Sequence, residues 1–129
     1  MIEEELMDYA RIDLCIVGGL TEARKIAGWC ETHYIKIAPH NPLGPVCAAA
    51  SLHLDLATDN FGVQEMWHGR TAFLADLFPV QVPYEAGHLL PPDLPGLGIE
   101  FDEEAAANYS YQPNSGPRLR RSDGSLTNW

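Results

Sequence analysis

Apolar and polar positions change rhythm several times along the first half of the chain. Residues 9–17, Tyr-Ala-Arg-Ile-Asp-Leu-Cys-Ile-Val, are rich in isoleucine, valine and leucine and end at Gly18-Gly19. Such a run predicts a buried strand leading into a loop. Leu20, Ala23, Ile26, Ala27 and Cys30 then recur at helical spacing, with Glu22, Arg24, Lys25 and Glu31 mostly off that stripe. This predicts a helix over roughly 20–33. Tyr34-Ile35-Lys36-Ile37-Ala38 reads as a second short strand, stopped by Pro39. Asn41-Pro42-Leu43-Gly44-Pro45 is a rigid turn. An alanine- and leucine-rich helix follows over about 46–57, and Asn60–Gln64 reads as a third strand with Glu65 at its end. Strand–helix–strand–helix–strand order predicts parallel strands joined by right-handed crossovers, an α/β fold.

The rhythm is lost after residue 78. Three of the ten prolines lie in residues 1–78 and seven in 79–129, together with five of the eleven glycines. Residues 71–78 predict a helical turn or two. The segment 85–104, with Pro91-Pro92, Pro95, Gly96 and Gly98 and an acidic patch at Glu100–Glu104, is expected to wrap over a surface. The polar tail from Ser110 carries Arg118, Arg120 and Arg121, which read as a solvated face. The expected division is therefore an α/β portion, 1–78, and a wrapping segment, 79–129.

Composition narrows the classes of function. The 129 residues hold 8 basic and 18 acidic side chains, a formal net charge of -10, which would repel a nucleic-acid backbone. No apolar run approaches the ~18 residues of a membrane span, and the start, Met1-Ile2-Glu3-Glu4-Glu5, is acidic where a signal peptide is basic. Cys15, Cys30 and Cys47 are an odd count at spacings that fit neither a disulfide framework nor a zinc motif. A soluble, cytoplasmic protein is expected.

Three ionisable residues, Asp13, His40 and Glu65, fall at the C-terminal ends of the three predicted strands. Parallel α/β sheets bind ligands at that edge. A neutral imidazole can take a proton near pH 7, and a carboxylate on its other nitrogen fixes the tautomer. A further carboxyl group opposite could meet the substrate. The set suits proton abstraction next to a carboxylate. His53 and Asp55, two apart on a helix, face different ways and read as packing residues. His33, His68 and His88 lack partners at ligand spacing and read as surface or loop residues. Gly18-Gly19 reads as a tight turn, and Cys15 as a small buried hydrophobe.

Residues 13–65 resemble the closing part of the barrel in the mandelate racemase branch of the enolase superfamily, and galactonate dehydratases above all. The resemblance is carried by Asp13, Gly18-Gly19-Leu20-Thr21-Glu22, Lys25-Ile26-Ala27, Ala38-Pro39-His40-Asn41-Pro42-Leu43-Gly44-Pro45, Leu52-His53-Leu54-Asp55 and Gln64-Glu65. Pro95–Glu100 and the closing Trp129 resemble later parts of the family, which makes the C-terminus look complete. The resemblance implies a partial TIM barrel, strands 6–8 with their helices. It implies that His40 abstracts the proton beside a sugar acid's carboxylate. Asp13 would orient His40, Glu65 would hydrogen-bond the forming enediolate, and a β-hydroxyl would leave as water. It also implies Mg²⁺ as a Lewis acid, a small sugar-acid substrate and a homo-oligomeric parent. The family's metal ligands lie on the third to fifth barrel strands, so none is expected among these residues. Three strands cannot close a barrel that needs about 250 residues and eight strands. The chain by itself is expected to be inactive and unstable or aggregation-prone. The sequence leaves open a non-catalytic interaction fragment, a racemase, or a dehydratase of another sugar acid. Arg11-Ile12 and Asn41 depart from some family members near the mouth of the pocket.

Overall fold

A computed structural model describes residues 1–42, 44–66, 74–112 and 119–127. Its centre is a short parallel ladder. Strand β1 (Tyr9–Ala10) pairs with β2 (Lys36–Ile37), Tyr9 opposite Lys36 and Ala10 opposite Ile37. Backbone bonds carry this pairing further than the strand bounds. Lys36 N donates to Asp8 O at 3.0 Å, Ala38 N to Ala10 O at 3.0 Å and His40 N to Ile12 O at 2.9 Å. On the other side of β2, Ile37 pairs in parallel with Phe61, and Gly62 N donates to Ile37 O at 2.9 Å. The central position of β2 between 8–12 and 60–65 is the parallel arrangement expected from the strand–helix alternation.

Pairing on the β1 side stops at Ile12, next to the expected strand end at Asp13, but the loop expected after it is a helix. Asp13 ends the pairing by turning its carboxylate onto the N–H of Cys15 at 2.9 Å, which caps a helix, α1 (Leu14–Val17). A continuous apolar run has no period with which to tell strand from buried helix. The correction also moves Cys15 from the core to the surface: it is exposed, and Ile16 is 78% exposed. Gly18 and Gly19, at φ 106° and 79°, turn the chain from α1 into α2 (Gly19–Glu31), a conformation that residues with a Cβ rarely adopt.

Ala23, Ala27 and Cys30 form the buried stripe of α2, packed with Ala10, Ile12, Leu14, Ile35, Ile37 and Leu54. Helix α3 (Pro45–Leu56) opens with proline, whose missing N–H has no intrahelical role at that position. It buries Cys47, Ala48, Ala49, Ser51, Leu52, Leu54 and Asp55 and is therefore covered on more than one side. Asn60 ties the layers together, its Nδ2 donating to Ala27 O and Ile35 O at 3.0 Å each.

The third segment, expected as a strand over 60–64, forms only the bridge at Phe61. The cause lies in Pro39. A regular parallel ladder would continue from Ile37 with residue 39 donating to Gly62 O and residue 64 donating back to residue 39. Proline has no N–H, so the first of these bonds cannot form. The second shifts by one residue, Glu65 N donating to Pro39 O at 3.2 Å. Such an extra residue re-aims the side chains beyond it. Gln64 reaches back to α3, donating from Nε2 to Ala48 O at 3.0 Å, while its neighbour Glu65 takes the opposite face.

Residues 71–73 of the expected turn at 71–78 lie outside the described residues. Leu74–Leu77 does make a turn, Phe78 N donating to Leu74 O at 2.8 Å. Beyond it the chain is largely irregular, with a two-stranded antiparallel hairpin, β3 (Tyr84–Glu85) and β4 (His88–Leu89), and one turn of helix, α4 (Glu103–Ala106). Asp102 caps α4 by accepting from Ala105 N at 2.8 Å, so part of the acidic patch is a helix start. Asp102 N also donates to Leu77 O at 2.8 Å, and the rings of Phe78 and Phe101 lie 5.2 Å apart.

Candidate active site

The three residues expected from the strand ends meet. His40 makes the last ladder bond on the β1 side, Asp13 follows Ile12, and Glu65 makes the shifted bond of the third segment. His40 Nδ1 is 2.9 Å from Asp13 Oδ2, and His40 Nε2 is 3.7 Å from Glu65 Oε2. Asp13 has little exposure, whereas the side chains of His40 and Glu65 are 37% and 40% exposed, so the imidazole is anchored inside and open outward. The hydrogen bond to His40 holds the Asp13 carboxyl below its usual range, against burial, with help from the Cys15 N–H. An ionised Asp13 keeps the Nδ1 proton in place and leaves Nε2 as the basic nitrogen, the geometry of a positioned base.

Glu65 is held by two donors. Arg11 Nη2 and Asn41 N both donate to its Oε2, the latter at 3.1 Å. In the sequence, Arg11 and Asn41 stand out only as departures near the pocket mouth. Arg11 had a readable signal: two residues before Asp13 on an extended segment, it shares that residue's face. Asn41 acts through its backbone, which no residue type announces. Its side chain is 1% exposed, its Nδ2 donating to Met66 Sδ at 3.6 Å.

The other candidates lie elsewhere. Asp55 and His53 are in α3, apart from His40. Both oxygens of Asp55 and Nε2 of His53 are buried without a hydrogen-bond partner among the described residues. Burial alone pushes Asp55 up to about 7. Asp55 lines a cavity of about 500 Å³ between α3, Phe61–Gln64 and the β3–β4 hairpin, which Asp13, His40 and Glu65 do not line. His33 Nδ1 sits 3.9 Å from Glu5 Oε1, and His88 is exposed on the hairpin. His68, Arg118 and Trp129 lie outside the described residues.

Among the described residues, one group gathers possible metal ligands: Asp13, Cys15 and Cys47, with their ligand atoms within 4.8 Å of one another. The Cys47 thiol is pushed up to about 11, first by burial, then by Cys15. Mg²⁺ takes near-octahedral oxygen ligands. Two thiols and one carboxylate do not fit it, and Glu65 is already engaged with Arg11 and Asn41. No helix among the described residues is long and apolar enough to cross a membrane.

The family described as enolase C-terminal domain-like matches residues 1–105. A D-galactonate dehydratase family member from Streptomyces bingchenggensis is 42% identical across all of this chain, which covers 32% of that protein. A D-mannonate dehydratase from Caulobacter sp. strain K31 is 39% identical with the same coverage. This chain thus spans about a third of the length of the curated relatives it matches. Among solved structures, an enolase from Agrobacterium radiobacter, bound to sodium and L-malate, superposes with a TM-score of 0.87 at 30% identity. The match covers 97% of this chain and 35% of that one. An enolase from Pantoea ananatis with bound D-gluconate and magnesium has a TM-score of 0.79 at 35% identity, covering 88% and 28%.

Proposed function

Because this chain belongs to the enolase C-terminal domain-like family, we propose that it is the closing part of an acid-sugar dehydratase barrel, strands 6–8 with their helices, and carries the proton-abstracting half of the active site. The observation that carries this reading is the contact of His40 with Asp13 through one ring nitrogen while the other faces Glu65. The dehydratase relatives and the neighbour holding D-gluconate favour a sugar acid as substrate.

His40 Nε2 takes the proton from the carbon next to the substrate carboxylate. The ionised Asp13 stabilises the imidazolium that results, as a carboxylate does in a triad. Negative charge then moves onto the substrate carboxylate. Arg11, which holds Glu65 in the site, is placed to offset that charge, and Glu65 is the side chain that meets the forming enediolate. The β-hydroxyl leaves as water on taking a proton from an acid on the third barrel strand, outside the chain, while His40 gives its proton to solvent, and the product is a 2-keto-3-deoxy acid. These residues do not fit Mg²⁺, so its ligands belong to barrel strands outside the chain.

The test uses the complete polypeptide purified from its source, with D-galactonate and D-mannonate in deuterated water. Keto-deoxy product and solvent deuterium exchange next to the carboxylate are expected, and His40→Asn should abolish both. Turnover that survives this substitution would remove His40 as the base. Epimerised acid without a keto-deoxy product would replace the dehydratase by a racemase.

A further inference from the structure

Two cysteines that the proposed reaction does not use stand beside its base. Cys15 belongs to α1 and is exposed; Cys47 belongs to the first turn of α3 and is 6% exposed. Helices α1 and α3 are in contact, and with Asp13 between them the two sulfurs and a carboxylate oxygen all fall within 4.8 Å. Both thiols are free. Cys47 Sγ also lies 3.9 Å from His40 O, so its position is tied to the residue it flanks.

Zinc-class ions bind thiolate sulfur at about 2.3 Å and carboxylate oxygen at about 2.0–2.2 Å. Two sulfurs on one tetrahedral ion therefore stand about 3.8 Å apart. Atoms already within 4.8 Å of one another need to close by only ~1 Å to meet one such ion. Soft thiolates select zinc-class ions over Mg²⁺. We propose that Asp13, Cys15 and Cys47 form a binding site for a thiophilic divalent cation, with water completing the coordination on the exposed side of Cys15. Binding joins two Sγ atoms and one carboxylate oxygen to the ion and releases both thiol protons to solvent.

The site is distinct from the magnesium chemistry of the family and does not rest on the reaction proposed above. It does touch the same carboxylate. Asp13 Oδ2 faces His40 and Oδ1 accepts from Cys15 N. An ion on that carboxylate competes with the imidazole, so occupation changes the electronic surroundings of His40.

The experiment titrates the reduced complete polypeptide with Cd²⁺, following sulfur-to-cadmium charge-transfer absorption and the ring resonances of His40. One equivalent per chain should saturate the band and move the His40 signals, and excess Mg²⁺ should displace nothing. Cys15→Ser and Cys47→Ser should each weaken binding on the order of a hundredfold, about 2.8 kcal/mol. Cys30→Ala, checked by circular dichroism, should leave it unchanged. No saturable band, or one lost equally with Cys30→Ala, overturns the site. A band that leaves His40 unmoved overturns the part given to Asp13.

Discussion

Asp55 is the least comfortable residue in the molecule. It is 6% exposed, has no hydrogen-bond partner on either oxygen among the described residues, and is pushed up to about 7 by burial. The folded state therefore holds a proton that the unfolded chain releases near 4. The contribution of Asp55 to stability is most favourable below that pH and falls as pH rises towards 7. The loss amounts to a few kcal/mol, at ~1.4 kcal/mol for each pH unit between the two titrations. Asp55→Asn, neutral at every pH, should flatten the dependence and raise stability at pH 8; urea melts of the complete polypeptide at pH 5 and 8 would show it. At Glu65, Arg11→Gln leaves only the Asn41 N–H as donor. A fall in kcat/KM on the order of tenfold is expected in the complete enzyme, the worth of one charge-assisted hydrogen bond. The meeting of Asp13, His40 and Glu65 was legible because each was expected at the same edge of successive strand–helix units. The Asp13–Cys15–Cys47 group was not, because capping by Asp13 starts a helix that brings Cys15, expected as a small buried hydrophobe, to the surface.

Elements were legible where period and breakers agreed. The stripe of α2 and the proline at the start of α3 fix both helices to within a residue or two. The third strand was misread because its pairing depends on a distant residue: Pro39 removes a rung, and the segment after Gly62 shifts by one. Pro39→Ala restores the donor. Residue 39 would then bond Gly62 O, Gln64 would replace Glu65 in the ladder, and the carboxylate would leave His40. A small change in melting temperature with a loss of kcat of about tenfold or more is expected, with a backbone amide signal for residue 39 protected from exchange.

The parallel α/β pattern and the site at its strand ends could be read from the chain, but its exposed surface could be assigned only with coordinates. Ile16, Val63 and Leu56 are 78%, 59% and 58% exposed, and the segments at 8–12 and 60–65 each leave an edge without a partner in the described residues. Open parallel edges and exposed apolar side chains are templates for association. The 129-residue polypeptide on its own should sediment as oligomers or aggregates and melt without a sharp transition. A monodisperse monomer with a cooperative melt would contradict this.

Asp13 divides its two oxygens between a structural task and a chemical one. Oδ1 starts a helix and Oδ2 holds the imidazole. Its carboxyl is held below the usual range, so both contacts persist through that range and fail together only as the pH drops beneath it. A single proton there would unfasten the first turn of α1 and release the base in one event. Inactivation and local melting in acid should share one titration curve, and no substitution at this position can tune one without disturbing the other.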